Sequence, residues 1–82
     1  MGFMDYRLRM LLEQNELALS QGTLTTQQLK ETLLETMAYK EPVASDIRMV
    51  LGGLSVENNS PAEIRQRLLQ AQRILHLSAK YD

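Results

Sequence analysis

The chain has no cysteine and no tryptophan, and its 82 residues include one phenylalanine, one histidine and two prolines. Without cysteine there is neither a disulfide framework nor a thiolate metal site. That suits a reducing compartment, and a cytoplasmic location is expected. With a single histidine, any metal site would have to be built from dispersed carboxylates, so neither metal nor cofactor is expected. The formal net charge is −1. A chain that binds nucleic acid or anionic lipid gains its affinity by setting lysine and arginine against phosphates, and this one has no such excess. Its apolar runs fall well short of the roughly 20 residues of a membrane span. The first residues lack the apolar core of a secretory leader. No stretch alternates apolar and polar residues as a half-buried strand would, and no internal repeat or low-complexity tract is present.

What the chain does have is aliphatic and methionine-rich helix-forming sequence, with hydrophobic residues making up 44%. A chain of this length forms one domain, 1–82. A single core of that size supplies roughly 3–5 kcal/mol, so a second copy or a partner is a natural supplement.

The clearest local signals lie between Gly22 and Leu51. Thr25 has the spacing of an N-cap: its hydroxyl can accept from the backbone N–H of Gln28, whose side chain can return to Thr25. Leu24 and Leu29 stand at the positions of a hydrophobic staple. Gly22 suits the left-handed residue that ends a preceding helix. The helix after Thr25 is expected to bury Leu29, Leu33 and Met37, with Leu34 and Ala38 beside them. Pro42 should stop it near Lys40 and open the next helix as its first residue. In that helix Val43, Ile47, Val50, Leu51 and Leu54 form one apolar stripe, and Gly52-Gly53 ends it.

The first helix is unusual. Phe3, Met4, Tyr6, Leu8, Met10, Leu11, Leu12, Leu17, Ala18 and Leu19 spread over roughly 240° of its surface at 100° per residue. A surface helix needs a stripe only a little wider than about 100°. The segment is therefore expected either to be central, packed on both sides, or to face a second chain. Met4, Leu8, Leu11, Ala18 and Leu19 form one face. Phe3, Tyr6, Met10 and Leu17 form the other, whose methionine and aromatic content suits an adaptable contact surface.

The last helix opens at Ser60-Pro61-Ala62-Glu63, a second capping box with proline at the favoured first position. Its seam of Ile64, Leu68, Ala71, Leu75 and Ser78 steps by four and three, the narrow stripe of a coiled-coil-like contact. Leu69 and Leu77 lie off it. This segment also holds the only positive excess: Arg65, Arg67, Arg73 and Lys80 outnumber Glu63 and Asp82. The simplest reading is a solvated helix face, and the other is a contact with an acidic surface.

Little here can carry chemistry, and no enzyme is expected. His76 falls on the polar side of the last helix. Gly52-Gly53 lacks the strand and spacing of a phosphate loop. Glu31 and Glu35 share a helix face beside Lys30 and read as solvated surface. No nucleophile elbow or comparable motif occurs. Asn58-Asn59-Ser60 has the form of a glycosylation site, but with no secretory leader it reads as coincidence. The hairpin at 25–51 raises the alternative of a small DNA-binding regulator of helix-turn-helix type. Its recognition helix would present Ala44, Ser45, Asp46, Arg48 and Met49, one basic and one acidic residue. Arg65, Arg67 and Arg73 would have to add the missing charge. Within that region, Leu34-Glu35-Thr36 followed by Asp46-Ile47-Arg48 resembles small enterobacterial regulators of biofilm formation and acid resistance. The match spans Leu19 to Leu51, requires a gap and leaves the last helix without a counterpart, so no function is carried over from it.

The expected fold is all-α, with four short helices at about 4–20, 26–40, 42–51 and 61–80 in a bundle-like or orthogonal array. The expected function is non-catalytic protein–protein interaction, as a small regulator, adaptor or secretion-type chaperone. The partner is a second copy in a homodimer or a helical client, with no membrane, nucleic acid or small-molecule substrate. The contact residues are Phe3, Tyr6, Met10 and Leu17, then Leu68 and Leu75.

Overall fold

In the computed structural model the described residues form α1 (Phe3–Gln21), α2 (Thr26–Glu35), α3 (Val43–Leu51) and α4 (Pro61–Lys80), with a 3₁₀ turn, Thr36–Ala38, on the end of α2. The backbone is described for residues 3–80 and the side chains for residues 6–78. No strand occurs among them, and the fold is all-α as expected.

The corner between α1 and α2 forms as the sequence indicates. Gly22 adopts φ +75°. Its N–H donates to the Leu19 carbonyl at 3.2 Å, and the Thr23 N–H reaches back to Ala18 at 2.8 Å, the paired bonds of a Schellman end. The Gln28 N–H donates to the Thr25 hydroxyl at 3.2 Å and the Thr25 N–H to the Gln28 side-chain oxygen at 2.8 Å, completing the capping box. Leu24 and Leu29 both pack into the core.

α2 departs from expectation. It ends at Glu35 rather than near residue 40, and its buried positions are Leu29 and Thr32, followed by Thr36 in the 3₁₀ turn. Met37 is 73% exposed, Leu34 and Ala38 are also exposed, and Leu33 is only half-buried. The cause is local. The Thr36 hydroxyl donates to the Leu33 carbonyl at 2.6 Å, and the Thr36 N–H points to the same oxygen. That carbonyl would otherwise accept the Met37 N–H of a continuing α-helix. The turn tightens to i→i−3 bonding, with the Tyr39 N–H on the Thr36 carbonyl. Met37 rotates off the core face, and Tyr39 fills the space instead, buried in the central cluster.

α3 begins at Val43, with Pro42 as its cap rather than its first residue. The cap hydrogen bonds come from Glu41. One of its carboxylate oxygens accepts the Ser45 N–H at 3.0 Å and the Ser45 hydroxyl at 2.7 Å. Ala44, Ile47 and Leu51 are buried, and Leu54 returns to the core after the glycine pair. A Cβ on Gly52 would lie 2.8 Å from the Arg48 carbonyl, which explains glycine there.

The loop into α4 is tied to the start of α2. The Val56 N–H donates to the Thr26 hydroxyl at 3.0 Å, which in turn donates to Glu57 at 2.8 Å. Ser60 caps α4 by accepting the Glu63 N–H at 3.1 Å. Glu63 is hydrogen-bonded by the Asn59 amide at 3.2 Å and lies 3.5 Å from Arg67. The seam Ile64, Leu68, Ala71 and Leu75 is buried as read from the sequence.

α4 packs against both α3 and α1, and α2 lies along α1. The cross-links set the directions. Arg7 meets Glu35 at 2.9 Å and the Asn15 amide donates to the Thr32 hydroxyl at 2.6 Å, so α1 and α2 run antiparallel. Arg65 reaches Ser20 and Gln72 reaches Glu16, each at 3.0 Å, so α4 runs antiparallel to α1 as well. Leu8, Leu12 and Leu29 join Tyr39, Ala44, Ile47 and the α4 seam in one core.

Candidate functional site

α1 contributes a single face to that core. Leu8, Leu12, Asn15 and Ala18 are buried. At 100° per residue, Tyr6, Met10, Glu13 and Leu17 project on the opposite side, spaced by four, three and four. The helix is therefore not sandwiched within its own chain. Tyr6 is 62% and Leu17 58% exposed, and Met10 is half-buried. Phe3, expected on the same face, lies outside the described side chains. A shallow depression of about 230 Å³ is lined by Tyr6, Arg9, Met10 and Glu13. It falls below the roughly 300 Å³ at which small-molecule sites begin, and its described lining comes from one side of one helix.

Two charges on this face stand without a partner among the described residues, as do Lys30 and Arg73 elsewhere. Arg7, Arg48, Arg65 and Arg67 each lie within ion-pair distance of a carboxylate. Arg9 and Glu13 are exposed on the outward side of α1, and neither has an ion pair or side-chain hydrogen bond among the described residues.

Leu68 and Leu75, expected to contact a partner, instead pack within their own chain. Leu68 is fully buried and Leu75 is 4% exposed. Their four-three seam is filled by the chain's own helices, because α4 packs between α1 and α3. Among the described residues, the large apolar side chains left outside are Leu34, Met37, Met49, Leu69 and Leu77, together with Tyr6 and Leu17. The α4 periodicity already set Leu69 and Leu77 off the seam. Nothing in the α2 spacing revealed Met37.

The corner at 36–48 is closed on itself. Arg48 donates to Glu41 at 2.7 Å, to the Ser45 hydroxyl at 3.2 Å and to the Thr36 hydroxyl at 3.2 Å. The Glu41 carboxyl is held below its ordinary value of 4.5, first by the Ser45 hydroxyl and then by Arg48. Ala44, expected to be presented outward by α3, is buried because it faces the core beside Ile47. Arg65 is occupied by Ser20 and Glu16, and Arg67 by Glu63 and the Val50 carbonyl at 3.0 Å. Arg73 and His76 are exposed. Glu35 pairs with Arg7 on α1 rather than forming an acidic pair with Glu31. Among the described residues no cluster of three His, Asp or Glu is placed to hold a metal ion, and no helix is long and apolar enough to cross a membrane.

Compared with known protein families, curated proteins and solved structures, the chain has no significant match.

Proposed function

We propose that the chain is a non-catalytic protein–protein interaction module whose contact surface is the outward face of α1, centred on Tyr6, Met10 and Leu17. The observation that carries this reading is the placement of two large apolar side chains, Tyr6 and Leu17, more than half exposed on the side away from the core. Scattered surface leucines are ordinary. An aromatic, a methionine and a leucine at positions 6, 10 and 17, with Glu13 completing the 4-3-4 spacing, instead line up along one side of one helix. Laying that side against another helix removes about 25 cal/mol of unfavourable hydration per Å² of apolar surface. The occupied state of Arg48, Arg65 and Arg67 adds support, since those cations hold the fold's own corners rather than standing free for phosphates.

The test compares the wild-type chain with Tyr6→Glu combined with Met10→Glu. Light scattering on purified protein and recovery of partners from the native host are the readouts, with circular dichroism as the folding control. The expected result is association by the wild type that the folded double variant loses. A wild-type chain that stays alone, and whose partners from the host are the same as the double variant's, overturns the reading. Retention on DNA at low salt, abolished by Arg65→Glu with Arg73→Glu, would replace it with a nucleic-acid function.

A further inference from the structure

We propose that the outward face of α1 binds the same face of a second copy of this chain, in an antiparallel pair with Arg9 of each copy against Glu13 of the other. The inference rests on the reading of that face as a docking surface and names its occupant.

A two-fold pair requires a self-complementary surface. Tyr6, Met10, Glu13 and Leu17 have this property about a point midway between Leu11 and Leu12. Antiparallel alignment there sets Tyr6 opposite the other copy's Leu17 and Met10 opposite its Glu13. The 4-3-4 spacing is that of knobs-into-holes packing, so the contacts can interlock over a seam roughly 17 Å long. The one charge in the seam, Glu13, then falls beside Arg9 of the other copy, because Arg9 adjoins Met10 in sequence. Symmetry makes the pair twice. Both residues are exposed and, like Arg73, make no ion pair among the described residues, while the other four arginines do. A parallel pair would instead set Glu13 against Glu13, which is repulsive. The charge pattern thus selects both the partner and its direction. Five side chains per copy amount to less than the roughly 800 Å² per partner of a standard interface, so the dimer is weak, with a dissociation constant on the order of 10 µM.

The test is sedimentation velocity on full-length chains from about 1 to about 500 µM at low salt, bracketing that constant. Arg9→Glu and Glu13→Arg are examined separately and as an equimolar mixture. Each variant alone sets like charges across the seam, and its dimerisation is expected to weaken by roughly tenfold or more. The mixture restores both attractions. The carboxylate introduced at position 9 of one chain then meets the guanidinium introduced at position 13 of the other, and the second contact keeps its native Arg9 and Glu13. A heterodimer of wild-type strength is expected. Circular dichroism shows that both chains fold. A wild type that remains monomeric throughout overturns the inference. So does a dimer that neither reversal weakens, or a mixture no stronger than the single variants. The reading of α1 as a docking face survives these failures if Tyr6→Glu with Met10→Glu still abolishes capture of a different protein.

Discussion

Among single residues, two polar groups matter more than their number suggests. Asn15 and Thr32 are buried where α1 crosses α2, joined at 2.6 Å, and the Thr32 hydroxyl also donates to the Gln28 carbonyl at 3.1 Å. A buried polar atom is tolerable only when bonded. The pair therefore favours this register of the two helices over sliding by one turn. Asn15→Ala removes the donor and leaves space, and should lower stability by about 1–2 kcal/mol in urea denaturation. Glu41 permits a pH prediction. Its carboxyl titrates below 4.5 in the folded chain, because the Ser45 hydroxyl and then Arg48 favour the ionised form. A group depressed in this way contributes stability that is complete above the unfolded value and is lost as pH falls through the folded one. Glu41 is on the surface, so the effect is small. Wild type should melt above Glu41→Gln at about pH 7, and the two curves should converge as the pH falls below the range in which the folded-state carboxylate titrates. Divergence on acidification would reverse the sign and contradict the assignment.

For the helices and their ends, what could be read from the sequence follows from the range of the interactions involved. The α2 cap, the Gly22 turn and the α4 seam depend on residues at most a few positions apart, and all three form as expected. Thr25→Ala should cost about 1 kcal/mol through loss of the cap. Gly22→Ala should cost about 1 kcal/mol by forcing a Cβ into the left-handed region. The end of α2 differs from expectation because apolar spacing ranks methionine above threonine as a core residue. Thr36 is buried because its hydroxyl satisfies Leu33 and accepts from Arg48, and the second contact spans twelve residues of sequence. Met37→Lys should accordingly change stability by less than about 0.5 kcal/mol, whereas Leu29→Ala should cost about 2–4 kcal/mol. A large loss for Met37→Lys in the same titration would restore the longer helix. The placement of the expected contact residues divides between α1 and α4. The excess apolar width of α1 marked Tyr6, Met10 and Leu17, but the α4 seam has the same signature whether its partner is its own chain or another. Only the tertiary arrangement assigns Leu68 and Leu75 to the core.

Taken over the full chain, core and contact face separate into two measurable quantities. A single core of this size supplies roughly 3–5 kcal/mol. Leu68→Ala, which opens a hole where α4 meets its neighbours, should remove about 3 kcal/mol of it. Tyr6 and Leu17 contribute little to the isolated fold, since most of each side chain already meets water. In the proposed pair their effect would enter through mass action, because a dimer of folded chains stabilises the folded state as concentration rises. For a dissociation constant on the order of 10 µM, raising the protein from about 10 µM to about 500 µM adds roughly 1–2 kcal/mol, and the melting temperature should rise by about 4–8 °C or more. Leu68→Ala should lower that curve while keeping its slope, since the paired face is intact. Leu17→Glu should leave the dilute melting temperature nearly unchanged and flatten the slope. If Leu17→Glu retained the full slope, association would lie on another surface. If it collapsed the dilute protein, Leu17 would belong to the core, and α1 would have no face left to offer.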